Sequence, residues 1–336
     1  MRDDGIILVT GGAGYIGTHL VRKLLERGHR VRVLEKFLYG EQGLADVSGE
    51  PRLEIQYGDV CDAKAVAKAL TGVQSVVALA ALVGDAACDL DPDFTMDVNF
   101  ESSRTLLEGC HDHGVQRLVF ASSCSVYGAN GTDLVHEDSH LNPVSLYART
   151  RIMSEELLLR ERGPIEVVIL RLSTVCGWSP RMRFDLMVNT ITARAQVDRN
   201  VKILGAGQWR PHIHVQDAAE AFLLAATDAP AEALGGVFNI GGQHLNFTIG
   251  EIASKVTEQI PDVNVEYDEH VDDHRSYRVA FDRARDVLGF VPTRTVDDAI
   301  REVRKVIAEG DVNDYRDEIY HNLKWLQRNS EARASA

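Results

Sequence analysis

The sequence predicts an α/β protein, built on a doubly wound parallel sheet with a smaller mixed α/β lobe toward the C-terminus. Apolar, strand-length runs alternate with helix-length segments from residue 5 to about residue 170, which is typical of a parallel sheet covered by helices on both faces. A glycine-rich turn separates the first run from the first helix. Beyond Arg171 the alternation loosens, because glycine and proline interrupt shorter elements there, and this predicts the second lobe.

The glycine-rich turn reads Thr-Gly-Gly-Ala-Gly-Tyr-Ile-Gly over residues 10–17. A helix N-terminus presents unpaired N–H groups and the positive end of the helix dipole to an anion such as a pyrophosphate. Gly11 or Gly12 suits the tight turn, and Gly14 lets the backbone approach the pyrophosphate. Gly17 lets the helix pack closely on the strand. The order of strand, glycines and helix therefore predicts a Rossmann-type dinucleotide site.

Glu35 directly follows the second expected strand, Arg30-Val-Arg-Val-Leu34. An acidic side chain about 20 residues beyond the glycines is placed to accept hydrogen bonds from the adenosine ribose hydroxyls, and it would repel a 2′-phosphate. The sequence therefore favours NAD over NADP, although Lys23 and Lys36 lie nearby. The alternative is a strand-end carboxylate that faces water.

Composition narrows the class of protein. The 336 residues carry a formal net charge of −14, which argues against a nucleic-acid-binding surface. The 5 cysteines are odd in number and form no C-x-x-C pair, so we expect reduced thiols. The N-terminus has no cationic stretch followed by an apolar segment, and no apolar run reaches the length of a membrane span. We therefore expect a cytoplasmic protein without a membrane partner.

Strand–helix units continue through the first half of the chain. We expect strands at residues 53–57, 75–79, 116–120 and 165–170, and helices at residues 63–70, 92–113 and 146–162. Ligands of such sheets bind beyond the carboxyl ends of the strands. The residues that follow strands, and that we therefore expect at this edge, are Gly11, Glu35, Asp59, Ala80 and Ser123.

Tyr147 and Arg151 are four residues apart on an expected helix and therefore share a face. A tyrosine beside a fixed cation has its phenolate favoured, so we expect the pKa of Tyr147 to fall toward a range useful for proton transfer. Ser123, at the end of a strand, could hydrogen-bond the same substrate oxygen. Such a pair on a helix is more often a surface contact, but its position behind a dinucleotide site favours a catalytic role.

These motifs together resemble the extended short-chain dehydrogenase/reductases, and among them the NAD-dependent epimerase/dehydratase family that acts on nucleotide-sugars. The resemblance covers about residues 5–310. Besides the glycine turn it rests on Gly58-Asp59-Val60, Ala80-Ala81, Asn99, Ser122-Ser-Cys-Ser-Val-Tyr-Gly128, Tyr147, Arg171, residues 207–217, Phe238-Asn-Ile-Gly241 and residues 288–292.

The resemblance implies a mechanism and a set of site residues. Tyr147, as phenolate, would remove a proton from a sugar hydroxyl, usually at C4, while a hydride passes to the nicotinamide and Ser123 orients the hydroxyl. An epimerase returns the hydride to the opposite face of the 4-keto sugar, whereas a dehydratase eliminates water and returns it to C6.

The implied catalytic residues are Ser123, Tyr147 and Arg151. The implied NAD-binding residues are Gly11, Gly14, Tyr15, Ile16, Gly17, Glu35, Asp59, Val60, Ala80, Ala81, Asn99, Ser122, Tyr147 and Arg151. The implied contacts of the nucleotide-sugar are Asp85, Ser123, Cys124, Thr174, Arg183, Arg210 and Arg275, with Arg181 and Arg278 as further candidates.

Departures from the family pattern bear on the reaction. The family's catalytic lysine falls on Arg151, which keeps a permanent charge but does not replace an ammonium faithfully, and we expect it still to lower the pKa of Tyr147. Sugar 4,6-dehydratases carry Asp-Glu directly after the active-site Ser or Thr, where this chain has Cys124 and Ser125. Elimination then lacks its usual acid and base, which favours an epimerase. Thr174 stands where epimerases often have a substrate-binding Asn.

The leading hypothesis is an NAD-dependent nucleotide-sugar epimerase that acts at C4. The alternatives are a 4,6-dehydratase or ketoreductase, or a nucleotide-sugar-binding protein with little turnover on account of Arg151. We expect residues 1–171 to form the NAD-binding unit with the catalytic Ser and Tyr, residues 172–328 the substrate lobe with segments that return to the core, and residues 329–336 a disordered tail.

Two further expectations concern partners. The resemblance implies a homodimer formed through the helices around residues 93–113 and 146–162. We expect no metal site, because His212 and His214 share a face of an expected strand but have no convincing third ligand.

Overall fold

The computed structural model describes residues 5–268 and 275–334. In chain order its strands are β1 (Ile6–Thr10), β2 (Arg30–Glu35), β3 (Leu53–Tyr57), β4 (Val73–Ala78), β5 (Arg117–Ser123), β6 (Ala129–Val135), β7 (Glu166–Leu172), β8 (Thr174–Cys176), β9 (Asn200–Leu204), β10 (Trp209–His214), β11 (Val237–Ile240), β12 (Asn246–Thr248), β13 (Asn264–Asp268) and β14 (Ser276–Val279). Its α-helices are α1 (Gly17–Glu26), α2 (Ala63–Leu70), α3 (Asp85–Asp89), α4 (Pro92–Met96), α5 (Ser102–His113), α6 (Leu146–Glu161), α7 (Met187–Val197), α8 (Val215–Thr227), α9 (Ile249–Gln259), α10 (Asp282–Asp286), α11 (Val296–Glu309) and α12 (Asn322–Ala334).

A sheet of 7 strands forms the centre of the larger unit, in the spatial order β3–β2–β1–β4–β5–β7–β11. All of its neighbouring strands run parallel. The chain builds outward from β1 to β3, crosses back over β1, and then builds outward in the other direction. This reversal is the doubly wound arrangement that the sequence predicts, and the fold class is confirmed.

Helices cover both faces of the large sheet and create a core on each. On one face α1 and α8 bury Leu20 and Phe222 against Val168 of β7. On the other face α2 and α5 bury Leu70 and Leu107. Because both faces are covered, inner strands such as β7 are buried along nearly their whole length. The edge strand β3 is mostly exposed or half-buried.

The register of the strands brings their carboxyl ends to one edge. Thr10, at the end of β1, lies opposite Leu34 of β2 and Ala78 of β4. Ala78 in turn lies opposite Phe120 of β5. The loops that follow these strands therefore meet on one side of the sheet, where the candidate site lies.

The chain after β7 builds most of a smaller lobe. One sheet has the order β12–β10–β8, and β9 pairs with β13 in parallel. Helices α7, α9 and α11 bury Val188, Ile252 and Ile300 in a separate core. Strand β11 returns to the large sheet beside β7. The boundaries at residues 171 and 328 stay predictions.

Two elements differ from the sequence-based expectation. The helix expected at residues 92–113 is divided into α4 and α5 by a π-helical turn, Asp97–Glu101. The tail expected to be disordered from residue 329 is helical as far as Ala334, because α12 is held to the body at Trp325 and ends in strong helix formers. Residues 335 and 336 lie outside the described residues.

Among residues 5–268 and 275–334, the helices are all too short or too polar to cross a membrane.

Candidate active site

The glycine-rich turn lies between the ends of β1 and β4. Gly11 has a φ of +73°, a conformation that glycine adopts without strain. A Cβ atom on Gly11 would lie 2.7 Å from the backbone nitrogen of Ala80, and one on Gly14 would lie 3.1 Å from the Gly11 carbonyl oxygen. Only glycine therefore leaves this backbone free to approach a ligand, and the turn fits the pyrophosphate of a dinucleotide.

A cleft of about 660 Å³ opens beside this turn. Seven of the predicted NAD-binding residues line it, namely Gly11, Gly14, Glu35, Asp59, Val60, Ala80 and Ala81. Its apolar wall includes Leu38, Leu82, Phe94 and Val98, none of which the sequence motifs identify. The structure therefore brings residues from four strand ends into one cleft, whose glycine-rich turn, acidic group and apolar wall suit a nucleotide.

Glu35 stands at the end of β2 and lines the cleft. Its carboxylate accepts hydrogen bonds from the backbone N–H groups of Ala13, at 3.2 Å, and Phe37, at 3.0 Å. Burial nevertheless raises the pKa of Glu35. The two lysines noted in the sequence are both paired, Lys36 with Asp59 at 2.6 Å and Lys23 with Glu220 at 2.8 Å. These pairings leave Glu35 as the acidic group at the turn.

Tyr147 and Arg151 share a face of α6, as predicted. The guanidinium carbon of Arg151 lies 5.5 Å from the centre of the Tyr147 ring and 5.2 Å from that of Phe120. Arg151 is only 2% exposed and donates hydrogen bonds to the carbonyl oxygens of Ala121, at 3.2 Å, and Asn99, at 3.0 Å. The arginine is therefore fixed by main-chain acceptors with its charge beside the tyrosine.

The expected direction of the Tyr147 pKa shift is wrong. Burial raises the pKa of the phenol above its usual value, and the charges of Arg151 and Arg183 offset only part of this effect. Cys88 and Asp85 add to the rise. Sequence reasoning counted the cation but had no measure of the desolvation of the ring.

The π-helical turn at residues 97–101 explains how Asn99 serves the site. Its carbonyl oxygen accepts hydrogen bonds from Arg151 and from the Ser154 hydroxyl at 2.9 Å. Its side-chain amide pairs with both backbone groups of Leu82, at 2.8 and 2.9 Å. Asn99 therefore connects the cleft wall at Leu82 to helix α6, and π-helical turns are common at functional sites.

A buried polar network supports the floor of the site. Arg171 and Glu155 form an ion pair of 2.6 Å, with both side chains almost fully buried. The Ser122 hydroxyl donates to Glu155, and Arg171 donates to the Tyr127 hydroxyl at 3.0 Å. Ser122 is therefore held within the protein interior. Sequence reasoning matched Arg171 to the family but did not find Glu155, its partner on α6.

Ser123 stands at the carboxyl end of β5, and helix α6, which carries Tyr147, packs against β5 and the turn that follows it. Its hydroxyl oxygen accepts a hydrogen bond of 3.1 Å from the backbone N–H of Ser125. A hydroxyl carries one donor and two acceptor positions. The O–H group of Ser123 thus keeps its capacity to donate to a substrate oxygen.

Cys124 is a correction to the predicted substrate contacts. The residue is 1% exposed, and its thiol donates to the Arg171 carbonyl oxygen at 3.3 Å. Burial raises the pKa of this thiol far above its usual range. The side chain therefore faces the interior and not the substrate, because β5 and β7 are neighbours at this point.

The substrate lobe contributes a group of arginines. Arg275 forms an ion pair with Asp85, which joins two predicted substrate contacts across the site. Arg210 donates to the Arg275 carbonyl oxygen. Arg183 pairs with Asp185 at 2.9 Å. Thr174 lies half-buried on β8, opposite His212 of β10.

Tyr15 and His214, two further residues that the sequence singled out, have hydrogen-bond partners within the protein. The Tyr15 hydroxyl bonds to the Gly177 carbonyl oxygen at 2.5 Å, and Ile16 stands at the start of α1. His212 and His214 do lie on one strand, and His214 pairs with Glu302 at 2.9 Å. Within the described ranges, no group of three or more His, Cys, Asp or Glu could hold a metal ion.

Known proteins are similar to this chain in sequence and in fold. The model of the NAD dependent epimerase/dehydratase family matches residues 7–241. A UDP-glucose 4-epimerase of Lactobacillus helveticus is 29% identical over 323 residues, which cover 88% of this chain and 94% of that protein.

Solved structures resemble the chain over nearly its whole length. MoeE5 in complex with UDP-glucuronic acid and NAD superposes with a TM-score of 0.79 at 28% identity, over 91% of this chain and 100% of that one. DesIV, a dTDP-glucose 4,6-dehydratase from Streptomyces venezuelae with NAD and TYD bound, gives a TM-score of 0.81 at 26% identity, over 91% and 98%.

Proposed function

Because the chain belongs to the NAD-dependent epimerase/dehydratase family and its cofactor is NAD, we propose that it is an epimerase that inverts C4 of a nucleoside-diphosphate sugar. The observation that carries this proposal is the chemistry beside Ser123. The next two residues are Cys124 and Ser125, so the carboxyl groups that a dehydratase uses for elimination are replaced by an inward-facing thiol and a hydroxyl.

Tyr147 is the proposed proton-transfer group. As phenolate it takes the proton of the C4 hydroxyl, and as phenol it returns that proton to the C4 oxygen of the keto sugar. Ser123 donates its O–H to the same oxygen and orients it. Arg151, held by two carbonyl oxygens, stabilises the phenolate through its fixed charge. When bound, NAD supplies the acceptor and donor of the C4 hydride.

The cofactor site is proposed to be formed by the glycine-rich turn, Glu35 and the cleft wall. Gly11 and Gly14 provide room for the pyrophosphate, and Glu35 provides the acceptor for the ribose hydroxyls. The negative charge of Glu35 supports NAD rather than its 2′-phosphorylated form.

The substrate is proposed to be anionic, as a nucleoside diphosphate requires. Arg183, Arg210 and Arg275 are the proposed contacts of the diphosphate. Arg183 and Arg275 are paired with Asp185 and Asp85, so phosphate oxygens would share or replace these carboxylates as partners. The guanidinium fork suits bidentate contacts with phosphate. The relative from Lactobacillus helveticus is named for UDP-glucose, which makes UDP-sugars the first substrates to examine.

We also propose a homodimer in which α5 and α6 of two copies pack together. Light scattering on the purified protein measures the molar mass directly. A mass close to 37.1 kDa contradicts the dimer.

The reaction is tested by incubating the protein and NAD with UDP-, dTDP-, GDP- and CDP-sugars and analysing the products by NMR and mass spectrometry. The proposal predicts an isomer of unchanged mass that differs at C4. A product lighter by one water indicates a 4,6-dehydratase instead. Tight binding of every sugar without conversion indicates a binding protein.

A further inference from the structure

Helix α12 reaches from the substrate lobe back to the cofactor cleft. The indole N–H of Trp325 donates to the carbonyl oxygen of Leu38 at 2.6 Å, and the Asn322 side chain donates to that of Val83 at 3.2 Å. Leu38 follows β2 and Val83 follows β4. One short helix thus binds the two loops between which the cleft opens.

The same helix supports the apolar wall of the cleft. Leu326 packs in a cluster with Leu38, Leu82, Phe94 and Val98, and all four of these residues also line the cleft. Tyr147 belongs to the same cluster. The packing of Leu326 therefore bears on both the cofactor cleft and the proposed catalytic residue.

Asn322 also fixes a cation near the cleft. It is 2% exposed, and its side-chain oxygen accepts a hydrogen bond of 2.6 Å from Arg181. Arg181 is 8% exposed and stacks on Tyr39, a residue that lines the cleft, at 4.1 Å from the ring centre. Within the described part of the chain, neither the Arg181 Nε nor the Tyr39 hydroxyl has a hydrogen-bond partner. Two such donors suit the phosphate oxygens of a dinucleotide.

We propose that α12 retains NAD: Trp325 and Leu326 hold the wall of the cleft closed, and Asn322 holds Arg181 and Tyr39 toward the diphosphate. A cofactor that is oxidised and regenerated in one turnover need not leave, so slow release is compatible with an epimerase. The inference depends on NAD binding alone and not on which sugar is converted.

The test compares the rate of NAD dissociation from the full-length protein and from a Trp325→Phe, Leu326→Ala double variant, by displacement with excess unlabelled cofactor. Loss of one buried hydrogen bond and of one packed leucine should raise the dissociation rate constant about tenfold or more. Arg328→Ala is the matched control on the same helix, because Arg328 is exposed and pairs with Glu318 away from the cleft.

A second measurement distinguishes a role of α12 in retaining the cofactor from a role in stability alone. The melting temperature is measured with and without NAD for each variant, and the proposal predicts a smaller NAD-induced increase for the double variant. Should the double variant not fold, Trp325→Phe alone removes only the hydrogen bond and should still accelerate release. A dissociation rate within about twofold of the wild-type value in both variants overturns the proposal.

Discussion

Two opposing effects act on the pKa of Tyr147. Burial raises the pKa of its phenol, and the charge of Arg151 lowers it, with burial the larger effect. Only the phenolate can take a proton from a sugar hydroxyl. Because the pKa of Tyr147 is raised, the phenolate fraction grows as the pH rises, so kcat/KM should increase through the alkaline range up to that pKa.

Substitutions of Arg151 test whether its charge lowers the pKa of Tyr147. Arg151→Met removes the cation, so the alkaline rise of kcat/KM should move to higher pH and activity at neutral pH should fall by about 10²-fold or more. Arg151→Lys keeps a positive charge and should retain the pH profile with activity equal to or above that of the wild type. Steady-state kinetics from about pH 6 to pH 10 measure both variants. Because this range lies below the raised pKa of Tyr147, a displaced rise is seen as a lower kcat/KM at each pH. A large loss in Arg151→Lys would mean that the two carbonyl contacts of the guanidinium, and not its charge alone, are required.

The glycine-rich turn permits a comparison between two glycines with nearly the same backbone. Gly11 has a φ of +73° and Gly72 a φ of +72°, but a Cβ on Gly72 meets nothing within 4 Å. Both Gly→Ala exchanges should cost about 1–2 kcal/mol of stability through backbone strain. Gly11→Ala should cost more in total, because its Cβ would lie 2.7 Å from the backbone nitrogen of Ala80. Only Gly11→Ala should also weaken NAD binding, because its methyl group would contact Ala80. Calorimetric titration with NAD measures the difference, and equal affinities would contradict the assignment of the turn.

Strand β7 and helix α6 are joined by the buried pair of Arg171 and Glu155. Glu155→Gln leaves the guanidinium without its counter-charge, and the free energy of unfolding should fall by about 3–5 kcal/mol. Urea denaturation measures this change. Arg160→Ala, which removes an exposed pair with Glu161 on the same helix, should leave stability unaltered. If both exchanges had the same small effect on stability, the buried pair of Arg171 and Glu155 would not stabilise the packing of β7 and α6.

The elements differ in how far the sequence could predict them. Helices with a clear apolar face and a cap were expected almost where they occur, for example α2 at Ala63–Leu70. The π-helical turn at residues 97–101 was not, because it adds a residue to the turn without changing the composition of the helix. Helix α12 was missed as well, since its order comes from contacts with distant loops such as that of Leu38.

At the scale of the whole molecule, the fold class and the cofactor followed from the sequence because glycine spacing and strand–helix alternation are local patterns. The positions of Gly11, Glu35, Asp59 and Ala80 in one cleft followed from the rule for strand ends. Contacts between the two lobes could not be predicted from such local patterns. The pair of Asp85 and Arg275, 190 residues apart, is formed only by the folded chain.

We propose that the chain interconverts two sugars by removing the C4 hydrogen as a hydride and returning it to the opposite face of the sugar. The most direct measurement is an NMR analysis of UDP-glucose labelled with deuterium at C4, incubated with the protein and NAD. If the chain is a C4 epimerase, the C4 epimer should form with the deuterium still at C4. Tyr147→Phe should give no conversion under the same conditions. A product that has lost water, or deuterium transferred to C6, would contradict it.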